Sequence, residues 1–152
     1  MNRRSRIAMT AEEQAEYLAK AKTIILTTID GRGYPHSVAM WFSIIDDLVQ
    51  MTTFRKSQKV VNARRNPKVA LLVESGTSYG ELRGLLIRAT AEIIDDTELC
   101  LDILLDVNAR YERQSHPELR DLLRAQATKR VALRFHPERV ASWDHSKLGG
   151  AY

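Results

Sequence analysis

The stretch Thr52–Pro67 carries the residue types that recognise a phosphate. Thr53 ends a run of strand character, Arg55, Lys56 and Lys59 supply positive charge, Ser57 a hydroxyl and Gln58 an amide, and a basic helix follows up to Asn66-Pro67. Cations and hydroxyls at the start of a helix offer an anion both charge and directed donors. The same residues also suit a solvated turn leading into an amphipathic helix. Other chemistry is scarce. Cys100 lies between Leu99 and Leu101 in a predicted helix, where a thiol packs rather than reacts. The histidines, His36, His116, His136 and His145, form no i, i+4 pair and have no carboxylates at ligand spacing, so no metal site is expected. Neither a Walker loop nor a dinucleotide glycine fingerprint is present. No side chain is assigned as a catalytic acid, base or nucleophile; if the chain is an enzyme, a bound cofactor carries the chemistry.

Those residues need a scaffold, and 152 residues suffice for one core. The expected organisation is a flexible basic arm over 1–9 and a single domain over 10–152. A composition of 44% hydrophobic and 28% charged residues is that of a globular protein. No apolar run reaches the roughly 18 residues of a membrane span, and the arginines of the arm are not followed by a signal-peptide core. The lone cysteine excludes an internal disulfide, which points to the cytoplasm. A net charge of +4 favours anionic partners, either a phosphorylated cofactor or nucleic acid. The basic helix lacks interleaved aromatics, which weakens the nucleic-acid reading.

Thr10 with Glu13 is a capping box for a helix over Ala11–Lys20. Thr23–Ile29 and Pro35–Ile45 read as a hairpin around Asp30-Gly31-Arg32-Gly33, and Leu48–Phe54 as a third strand after the Asp46-Asp47 turn. A short helix over Ser57–Arg65 stops at Pro67; Val69–Val73 and Leu82–Ile94 are the next strands. Helices from Asp95-Asp96-Thr97 to Arg113 and from His116-Pro117-Glu118 to Ala127 precede a sixth strand, Arg130–Phe135. The pattern predicts an α+β fold, a six-stranded antiparallel barrel of Greek-key type with peripheral helices. Trp41, beside the basic segment, and Trp143, in a functionally rich C-terminal tail, each suit packing, a dimer contact or the wall of a flat heterocycle.

In order and spacing, Asp30–His36, Val38–Phe42, Thr53 with Ser57 and Lys59, Asn66–Leu71 and Arg88–Ile93 resemble the pyridoxamine 5'-phosphate oxidase-like split β-barrel superfamily, from about Glu13 to Trp143. The resemblance implies a homodimer with a cofactor in the groove between two barrels, its phosphate on Thr53, Ser57 and Lys59. Where the oxidases grip FMN with an Arg and a Lys on the second strand, this chain has Ser37 and Phe42; Gln58 stands in place of an Arg, and Gly84 in place of a cofactor-contacting Gln. With Arg55, Lys56, Arg64 and Arg65 added, the chain is similar to the branch that uses the deazaflavin coenzyme F420. That similarity implies hydride transfer to a small electrophilic substrate, with Val38 and Trp41 along the ring and Arg55 or Lys56 at the acidic tail. An FMN-binding oxidoreductase, or a non-catalytic flavin- or haem-binding protein, is the alternative on the same fold.

Overall fold

Strand β1 (Ile24–Ile29) alternates fully buried Ile24, Leu26 and Thr28 with half-exposed neighbours, the period-two signature of a sheet with one face on a core. Six further strands join it: β2 (Pro35–Met40), β3 (Ser43–Ile45), β4 (Leu48–Phe54), β5 (Lys68–Ser75), β6 (Arg83–Ile94) and β7 (Arg130–Asp144). All ladders are antiparallel, in the order β2-β1-β5-β6-β7-β4-β3. The computed structural model describes residues 2–112 and 115–150. The α-helices are α1 (Arg3–Arg6), α2 (Ala11–Lys20), α3 (Gln58–Arg65), α4 (Thr97–Val107) and α5 (Leu119–Ala127), with a π-helical turn over Asn108–Glu112 after α4; Arg113, the expected end of that helix, lies outside the described residues. No helix among the described residues is long and apolar enough to cross a membrane.

The sheet has seven strands, not the expected six, because Pro35–Ile45 breaks at Trp41-Phe42. The two pieces lie at opposite edges of the sheet. Three Cα–Cα steps span at most about 11 Å, whereas seven strands laid flat would put their edges about 29 Å apart. The sheet must therefore curl until its edges meet, giving a split barrel closed by chain and not by a ladder. Phe42 is pulled into the barrel with Leu26, Met51, Leu71 and Phe135. Trp41 stays outside, stacked on Tyr111 with ring centroids 4.7 Å apart.

Local chemistry supports each element. Thr10 and Glu13 make the reciprocal capping box of α2. Asp30 Oδ1 accepts from the backbone N–H groups of Arg32 and Tyr34 to form the first turn, and Asp46 and Asp47 adopt the left-handed backbone of a tight hairpin. The last strand runs well past the expected stop at Phe135 and takes in Ser142, Trp143 and Asp144, the first residues of the expected tail. Its ladder to β4 ends at Arg134, so Pro137 meets a sheet neighbour on one side only, and a bulge around Glu138 restores the register with β6. Within the 1–9 arm, Met9 is buried and Ile7 O accepts from Asp144 N at 2.7 Å. Outside the barrel, α4 and α5 form a second apolar cluster with Ala132 and the buried Cys100.

Two features of the outer sheet face bear on function. Ala39, Ile25, Leu72, Leu86 and Ala141 stand side by side across β2, β1, β5, β6 and β7, an apolar row left partly exposed. Next to it, the Trp143 indole lies on Gly84 so closely that a Cβ there would be 2.0 Å from the ring. Gly84→Ala must displace the indole, and the expected result is a loss of about 1–3 kcal/mol in urea denaturation with a changed near-UV Trp signal. An unchanged midpoint and spectrum would show that Trp143 does not depend on that contact.

Candidate functional site

Strand β4 ends at Phe54, and the turn that follows delivers Ser57 as the N-cap of α3. The Ser57 hydroxyl makes no capping bond; it lies 3.2 Å from Thr53 Oγ1. Lys59, on the first turn of α3, folds back so that Nζ donates to Thr53 Oγ1 at 3.2 Å. Two hydroxyls and an ammonium thus converge at the junction of strand and helix. Lys59 is half-buried, and burial together with the positive charge of Arg130 lowers its pKa below the ordinary lysine value.

Arg130 was not singled out by the sequence. It opens β7 opposite Phe54, with Nη1 3.4 Å from Thr52 Oγ1 and the guanidinium 4.5 Å from the centre of the Phe54 ring. Burial lowers its pKa as well. Its Nε is buried without a hydrogen-bond partner, and among the described residues no carboxylate lies within ion-pair distance of Arg130 or Lys59. Two partly desolvated cations near each other without an acid are a costly arrangement, and an anion bound at either one relieves it. The only signal for Arg130 is the β4–β7 register, which joins two distant segments.

The other expected residues are distributed differently. Arg55 is held by Asp95 at 2.7 Å and by long bonds to the carbonyl oxygens of Thr128 and Arg130, so it ties the end of β4 to β7. Lys56 is exposed. Gln58 donates to Asn62 Oδ1, and buried Asn62 donates to Thr28 Oγ1, linking α3 to the barrel. Val38 lies on β2 opposite Leu26, packed on the barrel core. Trp41 is 47% exposed and lines a cavity of about 310 Å³ that also touches Met40, Thr52, Leu104, Asn108 and Arg130. Ser37 hydrogen-bonds Thr27 and Phe42 is fully buried, so no cation from β2 reaches the site. Cys100 is buried, its thiol pushed up to about 11 by desolvation, which makes it inert at neutral pH.

The family model for pyridoxamine 5'-phosphate oxidase matches residues 10–144. A conserved hypothetical protein of Mycobacterium tuberculosis has 36% sequence identity to this chain, with a TM-score of 0.92 over 100% of this chain and 95% of that one. An F420 reductase matches at 26% identity and a TM-score of 0.65, covering 83% of this chain and 94% of that chain. A haem storage protein from Vibrio cholerae, 19% identical, shares the fold at a TM-score of 0.68 over 90% and 97% of the two chains. Among curated protein sequences, none matches.

A lysine whose folded-state pKa is lowered costs stability once it is charged. The native state is favoured above the ordinary lysine pKa, and that advantage is lost as pH falls through the lowered value. Lys59→Met, which keeps the apolar stem, is therefore expected to be at least as stable as the wild type at pH 7 in anion-free buffer. The gap should narrow as pH rises toward about 10.4. Urea midpoints across that range check this, and a clearly less stable Met variant at pH 7 would mean that the charge supports the fold and not a ligand.

Proposed function

The chain belongs to the pyridoxamine 5'-phosphate oxidase family, and from that membership together with the Lys59 site we propose that it is an oxidoreductase that binds coenzyme F420. The observation that carries this is the convergence of Lys59, Thr53 and Ser57, next to a second unpaired cation, at a strand–helix junction. These donors fit a phosphate: the ammonium supplies charge, and the hydroxyls can each donate one hydrogen bond. When bound, the deazaflavin supplies a hydride to an electrophilic substrate carbon. The protein holds the phosphate through Lys59, Thr53 and Ser57, offers Lys56 and Arg64 as exposed charge for an acidic tail, and sets Trp41 beside the ring, while Val38 packs toward the barrel core. Trp41 suits this role because its stack on Tyr111 holds the indole rigid.

Two observations favour the deazaflavin over FMN. The positions matching those that grip FMN in the oxidases, on β2 and at the crossing after it, are a hydrogen-bonded serine and a buried phenylalanine here, and the match to an F420 reductase extends over most of both chains. The absence of an assigned acid, base or nucleophile suits a site where orientation and exclusion of water do the work. It equally suits a flavin-binding protein without turnover. Parallel titrations decide. F420 should bind more tightly than FMN, more weakly as salt rises, and about 10-fold or more weakly to Lys59→Ala. Tight FMN binding in a yellow purified protein would replace the deazaflavin, and a folded Lys59→Ala with unchanged affinity for either would move the phosphate elsewhere.

We further propose that a second copy of the chain covers the apolar row through Ile25, Leu72 and Leu86, completing the groove in which the cofactor lies. Such a row is an ordinary surface for strand-face association. Leu72→Lys should then convert a dimer into a monomer in sedimentation equilibrium. A wild type that sediments as a monomer at micromolar concentration would refute the pairing.

A further inference from the structure

The cavity that Trp41 lines is a second place where the fold asks for an anion. It lies outside the barrel, between α4 and α5 on one side and the β4–β7 pair on the other. At about 310 Å³ it is at the small end of ordinary ligand pockets, which run from about 300 to 1,000 Å³. Its walls are apolar at Met40, Leu104 and Leu123, and aromatic at Trp41. Thr52 and Arg130 meet in its wall, and Asn108 and Gln126 are its other polar lining residues. Among the described residues no acidic side chain lines it, and Arg130 is the only charged one that does.

The alternation of the strands separates this charge from the Lys59 cluster. Phe54 and Arg130 are register partners, so with Thr52 they share the outer face, whereas Thr53 pairs with fully buried Val131 on the barrel side. Lys59, Thr53 and Ser57 do not line the cavity. The Arg130 guanidinium is covered on one face by the Phe54 ring and makes a single long hydrogen bond to Thr52 Oγ1. An in-plane edge is what a carboxylate engages through two parallel N–H···O bonds, and a ring stacked on the face leaves that edge usable.

We infer that this cavity binds a small carboxylic acid with a flat or aliphatic body, its carboxylate on the Arg130 edge and its body against Trp41 and the apolar walls. That the acid is the hydride acceptor rests on the oxidoreductase reading above; the binding site does not. The lowered pKa of Arg130 is consistent with this, because burial without a counter-ion is the cause. The inference makes Arg130 a residue for the substrate and Lys59 a residue for the cofactor.

Benzoate and its neutral isostere benzamide are suitable probes, titrated into ¹⁵N-labelled full-length protein. Benzoate should shift the Trp41 indole N–H signal saturably, with Trp143→Phe assigning the two indoles. Benzamide should bind about 10-fold or more weakly, and Arg130→Met should weaken benzoate by about the same factor. Lys59→Ala should keep benzoate affinity within about twofold while losing cofactor affinity. Equal affinity for benzoate and benzamide, or no saturable shift at Trp41, overturns the inference in the wild type alone, whatever the variants do. Loss of benzoate in Lys59→Ala, or of cofactor in Arg130→Met to the extent seen for Lys59→Ala, overturns it by merging the two sites. Failure of the cofactor titration with benzoate binding intact would refute the deazaflavin reading and leave the acid site standing.

Discussion

The crossing at Trp41-Phe42 is the constraint from which the rest of the architecture follows. Two residues join strands at opposite ends of a seven-stranded sheet, and the curl they impose creates an inside for Leu26, Met51 and Phe135 to fill. The crossing is held from outside. Tyr111 hydrogen-bonds both the N–H and the carbonyl of Phe42, while Arg110 lies over the Phe42 ring and donates to the carbonyl oxygens at the end of α2. A π-helical turn places these two residues side by side, a use in keeping with the frequent appearance of such turns at functional positions. The wall of the cavity is therefore a by-product of closing the barrel: Trp41 stands where it does because Phe42 must go in.

The two cations follow a different logic. Other arginines find structural partners: Arg55 pairs with Asp95, Arg83 with Asp144, and Arg110 is held by the carbonyl oxygens at the end of α2. Lys59 and Arg130 have no such acid among the described residues, although both are partly buried. Stability alone would favour removing them, so their presence is best read as binding capacity maintained at a cost to the free protein. Pairing both with one anion is disfavoured by the sheet itself, since the side chains of β4 and β7 alternate between the faces.

Local signals carried the sequence reading far, and long-range ones limited it. The capping box at Thr10, the β-branched run of β1 and the stop at Pro67 are each decided within a few residues, and the structure has them at the expected places. The Thr53, Ser57, Lys59 cluster was visible for the same reason: strand end, turn and first helical turn are contiguous. Trp41-Phe42 was not visible as a break, because an apolar pair inside an apolar stretch looks like continued strand. The sixth strand was expected to stop at Phe135, yet it runs on through Pro137, which is tolerated only because β7 has by then lost its second neighbour. Arg130 needed the register itself.

The strand order also sets a sequence of events in time. β7 joins β6 to β4, and it follows every other strand in the chain. Until it is in place, β3 and β4 have no ladder to the remaining strands, and Arg130 has no partner face. During synthesis the turn bearing Thr53, Ser57 and Lys59 is made long before the strand that encloses it, so the two proposed anion subsites are complete only late. Pairing of such distant segments is slow, and the waiting chain presents the edges of β4 and β6, which are the surfaces most exposed to misassembly before closure.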